Sequence, residues 1–319
     1  MHRALCLVVA LGLAIAPYAA ATPLLTRNLY PPLLAFYTPP PLPAAPPAGW
    51  RTALTLDYAS IFQVEDPQAR ETVVDVELAR LALHLGRRLG PRWAVDAELP
   101  LIETSGGVLD DFINDWHRTF HLPDGGRPTA PSNRHRYRLR VAGRTLLDEE
   151  AASYGVGDGA ATLTWLALPG KSERLALRLG VKAPTAGPRL GPRGSGGWDF
   201  AAGAVAEGER GVWETALHLG IVVPTGVPEI ETRPFATGLI HVAWRYFPAL
   251  PLSVALAGQT SPYHTGVALL DRPAVELRLG ATHPLSPTTD LELAFVEDMT
   301  HKTTPDFSVH LGVRHRWGR

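Results

Sequence analysis

Three residues near the C-terminus have the types that nucleophilic catalysis uses. Asp306, Ser308 and His310 occupy alternate positions, so on a β-strand their side chains share one face. Serine becomes a nucleophile only with a base within hydrogen-bond reach, and side chains two positions apart on a strand are about 6.5 Å apart at the backbone. A lipid hydrolase that uses Ser308 and His310 is therefore one hypothesis, although the chain has no G-x-S-x-G motif to support it.

The strand that would carry these residues has two different faces. Phe307, Val309, Leu311 and Val313 alternate with polar residues or glycine, and Trp317 follows. Period two over about ten residues predicts a strand whose faces meet different surroundings. The apolar face would pack on a second sheet in a soluble sandwich, whereas it would meet lipid in an outer-membrane barrel.

The first residues and the charge balance exclude several classes of protein. Residues 1–21 combine an early arginine, an apolar run and an Ala-x-Ala motif, which is the layout of a secretory signal peptide. The only cysteine, Cys6, falls inside that run, so we expect no disulfide or thiolate site in the mature chain. With 30 basic and 31 acidic residues, the chain has no basic field that would recruit nucleic acid. The histidines lack metal-ligand spacing, and we expect no metal and no other cofactor.

Beyond residue 21 the chain divides into two parts. Residues 22–49 contain nine prolines, too many for a regular hydrogen-bonded ladder, and we predict a periplasmic tether or strap. Residues 50–319 alternate apolar and polar positions through most of their length. No run after residue 21 reaches the roughly 18 apolar residues that a membrane helix needs, so a membrane location would require a barrel.

The alternation predicts twelve strands and a fold class. The strands begin at Trp50 and continue, with approximate limits, at 72–87, 92–102, 158–168, 174–183, 197–206, 211–223, 235–247, 251–260, 273–282, 289–298 and 306–317. The connections alternate short and long, as in bacterial barrels with short periplasmic turns and longer outer loops. The aromatic residues expected near the short turns, as an interfacial girdle, are Trp50, Trp93, Trp213, Trp244, Tyr246 and Trp317. We predict an all-β, antiparallel transmembrane β-barrel of about 12 strands, with a secreted β-sandwich as the alternative.

Residues 103–157 form the longest connection, and long loops in compact folds are usually functional or disordered. The residues that recur here at helical spacing are Leu109, Phe112, Ile113, Trp116 and Phe120. They predict a short amphipathic helix in a long extracellular loop, which would plug the barrel mouth, lie on the outer leaflet or pack on the loop's own hairpin. In the basic run Asn133–Arg140 that follows, arginines would either pair with lipopolysaccharide phosphates or lie on a solvated hairpin.

Inward positions on the predicted strands carry charges of both signs. The lumen-lining candidates are Asp96, Glu98, Arg178, Lys182, Glu214, His218, His241, Arg245, Glu276, Arg278, Glu292, Ser308, His310 and Arg314. Mixed signs indicate a salt-bridged interior rather than a filter for ions of one sign, and each charge taken singly fits a satisfied interior pair. Twelve strands fall between the roughly eight of filled barrels and the 16–18 of open porins, which allows a narrow pore or an internal pocket.

Four stretches resemble a Gram-negative family known as domain of unknown function 3187. They are T-R-N-L-Y-P at 26–31, F-I-N-D-W-H-R-T-F-H-L-P-D-G-G-R at 112–127, T-S-P-Y at 260–263 and T-P-D-F-S-V-H-L-G-V-R at 304–314. The similarity extends over essentially the whole mature chain, and the tryptophan-containing stretch is its most specific part. The resemblance implies an outer-membrane barrel but brings no substrate, reaction or catalytic residue.

We therefore expect an exported outer-membrane barrel that acts as a narrow channel or uptake protein for a small or amphipathic solute. The alternatives are the lipid hydrolase described above and a structural or surface-interaction barrel without a pore. Expected partners are outer-membrane lipid and lipopolysaccharide, a small-molecule solute, and the barrel-assembly machinery through the C-terminal strand.

Overall fold

The computed structural model describes residues 23–65, 72–120, 127, 130–227, 230–300 and 302–318. The predicted signal peptide, residues 1–21, lies outside these ranges. Within them, no helix is both long enough and apolar enough to cross a membrane.

The described residues form fifteen strands, twelve of which close into a barrel. The strands are β1 (Trp50–Glu65), β2 (Thr72–Arg88), β3 (Trp93–Ser105), β4 (Arg136–Val141), β5 (Arg144–Glu149), β6 (Ser153–Val156), β7 (Gly159–Pro169), β8 (Glu173–Ala183), β9 (Asp199–Arg210), β10 (Trp213–Pro224), β11 (Phe235–Trp244), β12 (Leu252–Gln259), β13 (Ala274–Ser286), β14 (Thr289–Asp298) and β15 (Phe307–Trp317). The helices are α1 (Pro31–Leu34), α2 (Asp110–Phe120) and α3 (Ala268–Asp271). Strands β7 to β15 pair in chain order, and β15 pairs with β1, β1 with β2, β2 with β3 and β3 with β7, all antiparallel. This ring confirms the predicted twelve-stranded barrel.

The barrel strands bury one face and expose the other, as their period-two pattern predicts. In β15, Val309 and Leu311 are exposed, whereas Ser308 and His310 are buried. Outward leucines elsewhere are exposed to a similar or greater degree, and Leu179 reaches 61%. An apolar outer surface around a polar interior is the arrangement of a transmembrane barrel.

Aromatic side chains gather at the end of the barrel that carries the short turns. Trp50 lies opposite Trp317 in the register of β1 and β15, and Trp213 lies opposite Trp244 in that of β10 and β11. The rings of Trp213 and Trp244 are stacked with their centroids 6.3 Å apart. Such a belt is typical of a membrane interface.

The long excursion between β3 and β7 holds small elements of its own. β4 and β5 form a hairpin that pairs with β2, and β6 pairs with the end of β3. β1 and β2 have 16 and 17 residues, more than the roughly 9–11 that a membrane crossing needs. They therefore extend beyond the membrane-spanning region at the long-loop end and carry this hairpin, and α2 is the helix predicted in the loop.

The N-terminal segment lies inside the barrel, so the prediction of a periplasmic tether or strap is wrong. The carbonyl of Pro23 accepts a hydrogen bond from Arg314 near the short-turn end, at 2.7 Å. Tyr30 reaches the long-loop end, where its hydroxyl donates to the carbonyl of Leu269 at 3.0 Å. After α1 the chain descends to the short-turn end and joins β1. We call residues 23–48 the lumen hairpin.

Apolar side chains explain why this segment folds inward although its prolines cannot join a ladder. Leu29, Tyr30, Leu33, Phe36 and Tyr37 are almost completely buried. Burial of a large apolar side chain contributes roughly 1.5–3 kcal/mol. A tether in the periplasm would leave all five in water.

Glycines on the inner wall make room for the hairpin. A Cβ atom on Gly180 would overlap the ring of Tyr37, and one on Gly280 would overlap Leu24. Protein interiors are close-packed, so any larger residue at these positions would displace the hairpin.

An apolar cluster surrounds the tip of the hairpin at the long-loop end. The ring of Phe36 packs edge to face against Tyr263 at 5.3 Å and against Phe235 at 6.2 Å. The hydroxyl of Tyr263 donates to the carbonyl of Pro32 at 2.8 Å. Burial raises the pKa of Tyr263, so this hydroxyl stays a neutral donor. The tip of the hairpin is thereby tied to the loops above it.

Candidate functional site in the barrel lumen

The structure places all fourteen lumen-lining candidates on the inner wall. Ten are almost fully buried: Glu98, Arg178, Lys182, His241, Arg245, Glu276, Arg278, Glu292, Ser308 and His310. Asp96, Glu214, His218 and Arg314 are partly buried. Because they come from seven strands around the ring, with Arg245 directly after β11, they form several groups rather than one site.

One wall carries a continuous series of ion pairs. Nδ1 of His310 lies 2.6 Å from Asp57 Oδ1, and Nε2 lies 3.3 Å from Glu292 Oε2. Arg80 is completely buried and bridges Asp57 and Glu98. Buried charges are tolerated when they are paired and hydrogen-bonded, and this series meets that condition.

The structure does not bring Ser308 and His310 together as a catalytic pair. Both ring nitrogens of His310 face carboxylates rather than Ser308. Asp306 instead pairs with Arg127, at 2.5 Å. This geometry gives no support to the hydrolase hypothesis.

A second group, formed around Lys182, grips the backbone of the lumen hairpin. Its ammonium lies 2.5 Å from Asp158 and 3.3 Å from Asp199 and donates to the carbonyl of Ala35 at 3.0 Å. Asp199 in turn accepts the backbone N–H of Tyr37 at 2.7 Å. The wall therefore holds the chain just after α1 by charged hydrogen bonds, which are stronger than neutral ones.

Arg178 pins the descending arm of the hairpin. Its guanidinium donates to the carbonyls of Pro40, Leu42 and Pro43, the last at 3.0 Å. Nη1 also donates to Nδ1 of His218 at 3.3 Å. No carboxylate lies within ion-pair distance of Arg178 in the described part of the chain, so this buried cation is compensated by carbonyl dipoles.

Charges nearer the short-turn end form separate pairs. Arg245 lies 2.8 Å from Glu214 and 2.5 Å from Glu209, and Arg51 lies 2.7 Å from Asp96. These pairs sit on the wall below the descending arm and match the satisfied interior pairs expected from the sequence.

A cavity of about 70 Å³ lies between the two arms of the hairpin and the inner wall, which here consists mainly of β8 to β13 with one residue each from β2, β3 and β7. Its apolar lining includes Ala201, Leu239, Ala257 and prolines 39–41. Its polar lining includes Arg27, His84, Glu98, Arg178, His218, Gln259, Glu276 and Arg278. Five of the predicted lumen residues thus meet around one space, which the remaining nine do not line.

An arginine between two acids anchors the loop helix at the long-loop end. Arg127 contacts both Asp110, in the first turn of α2, and Asp306. Burial raises the pKa of Asp306, and the nearby Arg127 acts against this rise. Among the predicted apolar residues, Ile113 is 2% exposed and Leu109 is partly buried. The side chains of Phe112, Trp116 and Phe120 lie outside the described residues, so the three placements proposed for the helix stay open.

The basic run after the helix is compensated within its own hairpin. Arg136 lies 2.8 Å from Asp148 and also contacts Glu150. Arg138 lies 2.9 Å from Asp148. These contacts favour the solvated-hairpin interpretation for both arginines.

Sequence reasoning missed the residues that the hairpin contributes. Arg27 lies 3.2 Å from Glu98, and Tyr37 packs on the wall. The density of large apolar residues among the prolines was a signal that this segment needs burial. In the described residues, no cluster of three or more His, Cys, Asp or Glu side chains is arranged to hold a metal ion.

Comparisons with known proteins agree with this architecture. The model of the family described as "Protein of unknown function (DUF3187)" matches residues 4–317. The COG4313 outer membrane channel from Pseudomonas putida F1 has a similar fold, with a TM-score of 0.58 and 14% identity over 86% of this chain and 97% of that chain. The NanC porin gives a TM-score of 0.51 and 6% identity over 83% of this chain and 100% of that one. A sequence comparison with curated proteins finds no match.

Proposed function

The chain belongs to the DUF3187 family, and from the geometry of its lumen we propose that it is an outer-membrane channel for small solutes, constricted by its own lumen hairpin. The observation that carries this proposal is the hairpin itself, which occupies a polar lumen and leaves a cavity of about 70 Å³. We assign the short turns to the periplasm and the long loops to the outside, as in other bacterial barrels.

The way in which the descending arm is held supports a channel rather than a filled barrel. Arg178 holds this arm by three bonds to carbonyls, and Ala44 donates to Glu207 at 2.7 Å. Carbonyls released from such bonds can bind water, because the surrounding wall is polar. By contrast, the tip of the hairpin is packed in the apolar cluster and would be costly to move. The arm is thus the part that can yield to a passing solute.

Outer-membrane lipid, a solute and the barrel-assembly machinery are the partners that this proposal requires. The exposed leucines and the aromatic belt support contact with lipid, and β15 is the strand that would be offered to the assembly machinery. Lipopolysaccharide contact at the long-loop end is part of the proposal, although Arg136 and Arg138 are already paired there.

A liposome-swelling assay tests the proposal. The full-length protein, folded into liposomes, should admit glycerol and small organic ions but exclude a disaccharide, because the space beside the hairpin is narrow. Heat-modifiable gel mobility provides the check that the barrel has folded. If a folded barrel admits no solute at all, the structural barrel without a pore becomes the better account.

A further inference from the structure

The cavity beside the hairpin has an excess of unused hydrogen-bond donors. Six of its lining residues have a buried polar atom with no partner in the described part of the chain: Thr26 Oγ1, Arg178 Nε, His218 Nε2, Gln259 Nε2, Glu276 Oε1 and Arg278 Nε. Buried polar groups are almost always hydrogen-bonded. These residues therefore leave hydrogen-bonding capacity unused beside one cavity.

The hydrogen-bonding roles of these atoms indicate the charge of the occupant. The nitrogens of Arg178, Gln259 and Arg278 donate only. His218 accepts from Arg178 through Nδ1, so its neutral ring carries hydrogen on Nε2 and donates there as well. Of the six atoms, Glu276 Oε1 is the one that can only accept. Among these residues four unused donors stand against one unused acceptor, which favours a ligand that accepts hydrogen bonds over one that donates.

The charges of the lining residues also favour an anionic occupant. Among the lining arginines, Arg27 pairs with Glu98 and Arg278 with Glu276, at 3.2 and 2.8 Å, whereas Arg178 has no acidic partner within ion-pair distance among the described residues. Arg178, Gln259, Glu276 and Arg278 are each at least nine-tenths buried. A buried net positive charge attracts an anion more strongly than the same charge in water.

The remaining wall is apolar and limits the size of the ligand. Ala201, Leu239 and Ala257 line it together with the prolines of the descending arm. A water needs roughly 10–15 Å³ of this kind of volume, so about 70 Å³ suits a few heavy atoms. We propose that this cavity is a binding site for a small organic carboxylate with a short aliphatic tail. The inference deepens the proposed function, on which it rests for the idea that this ligand is also the solute.

Calorimetric titration of the folded full-length protein in detergent tests the site without a membrane. Sodium butyrate should bind, whereas butylammonium chloride and sodium chloride should give no saturable signal. Binding of butylammonium as tight as that of butyrate would overturn the proposal, as would the absence of butyrate binding. Calorimetry measures binding and not conductance. A barrel that binds butyrate but passes no solute would therefore refute the channel and leave the binding site unaffected.

Two isosteric substitutions should move the affinity in opposite directions. Gln259→Glu replaces a free donor by a negative acceptor and should weaken butyrate binding at least about tenfold, the order of magnitude of a hydrogen bond to a charged group. Glu276→Gln removes the competing carboxylate and should strengthen binding by about threefold or more. A variant that failed to fold could not bind butyrate more tightly, so this increase in affinity cannot result from misfolding.

Glu214→Gln is the matched control, since this inward acid pairs with Arg245 and does not line the cavity. Its butyrate affinity should equal that of the parent protein. An equal change in Glu276→Gln and Glu214→Gln would show that general lumen charge, and not this cavity, sets the affinity, and would overturn the assignment.

Discussion

Replacing Arg178 with glutamine should release the descending arm of the lumen hairpin. The guanidinium makes three bonds to carbonyls of this arm, and each hydrogen bond to a charged group contributes roughly 1.5–3 kcal/mol. Glutamine can restore one neutral bond at most, so two are lost. Taking the lower value for each gives a change of about 3 kcal/mol, which shifts a two-state equilibrium about 150-fold.

Single-channel recording in planar bilayers measures this shift as the ratio of open to closed time. We expect that ratio to rise by about two orders of magnitude. Arg316→Gln is the control, because Arg316 also lies on the inner face but pairs with Asp290 at 2.9 Å and donates to the carbonyl of Pro287, neither of which belongs to the hairpin. An Arg178→Gln channel whose open-to-closed ratio stays within about threefold of both the parent and the control would refute the claim that these bonds hold the arm.

Three further substitutions test other parts of the account. Gly180→Val would overlap the ring of Tyr37, so it should increase the mean conductance, and an unchanged conductance would contradict the packing of the hairpin on this wall. Leu219→Arg places a charge on the lipid-facing surface and should lower the free energy of unfolding in lipid by about 2–4 kcal/mol; an unchanged urea midpoint would place this face away from lipid. Burial lowers the pKa of His135 from 6.5, so the unfolded loop binds the proton first as the pH falls. The stability of the β4–β5 hairpin should therefore be complete above about 6.5 and decline below it, and His135→Gln should remove that dependence in hydrogen-exchange measurements.

The barrel was predictable because its strands repeat one physical rule. A strand between lipid and a polar lumen must alternate, and twelve segments do so, including Phe307–Trp317 with its exposed Val309 and buried His310. Turn and loop lengths then set the antiparallel order. The aromatic residues at the short-turn end follow from the same membrane geometry.

The hairpin was not predictable by that rule, because prolines remove it from any ladder and hide its periodicity. Its apolar residues Leu29, Tyr30 and Phe36 carried the missing information, since such side chains are costly to leave in water. Gly180 and Gly280 on the inner face mark where it packs, but the sequence alone cannot say what those glycines accommodate.

The ion pairs show a second limit of sequence reasoning. Alternation places Ser308 and His310 on the inner face, yet the partners of His310 are Asp57 and Glu292 on the two neighbouring strands, and not Ser308. The register between strands that are far apart in the sequence, such as β1 and β15, is set only in the closed barrel.

The most direct measurement compares single-channel conductance of the full-length protein with that of a variant lacking residues 24–46, both checked for heat-modifiable folding. We expect a small, intermittent conductance for the full-length protein and a larger, steady one for the variant. Equal conductances from two folded barrels, or none from the variant, would contradict the claim that the hairpin constricts a channel.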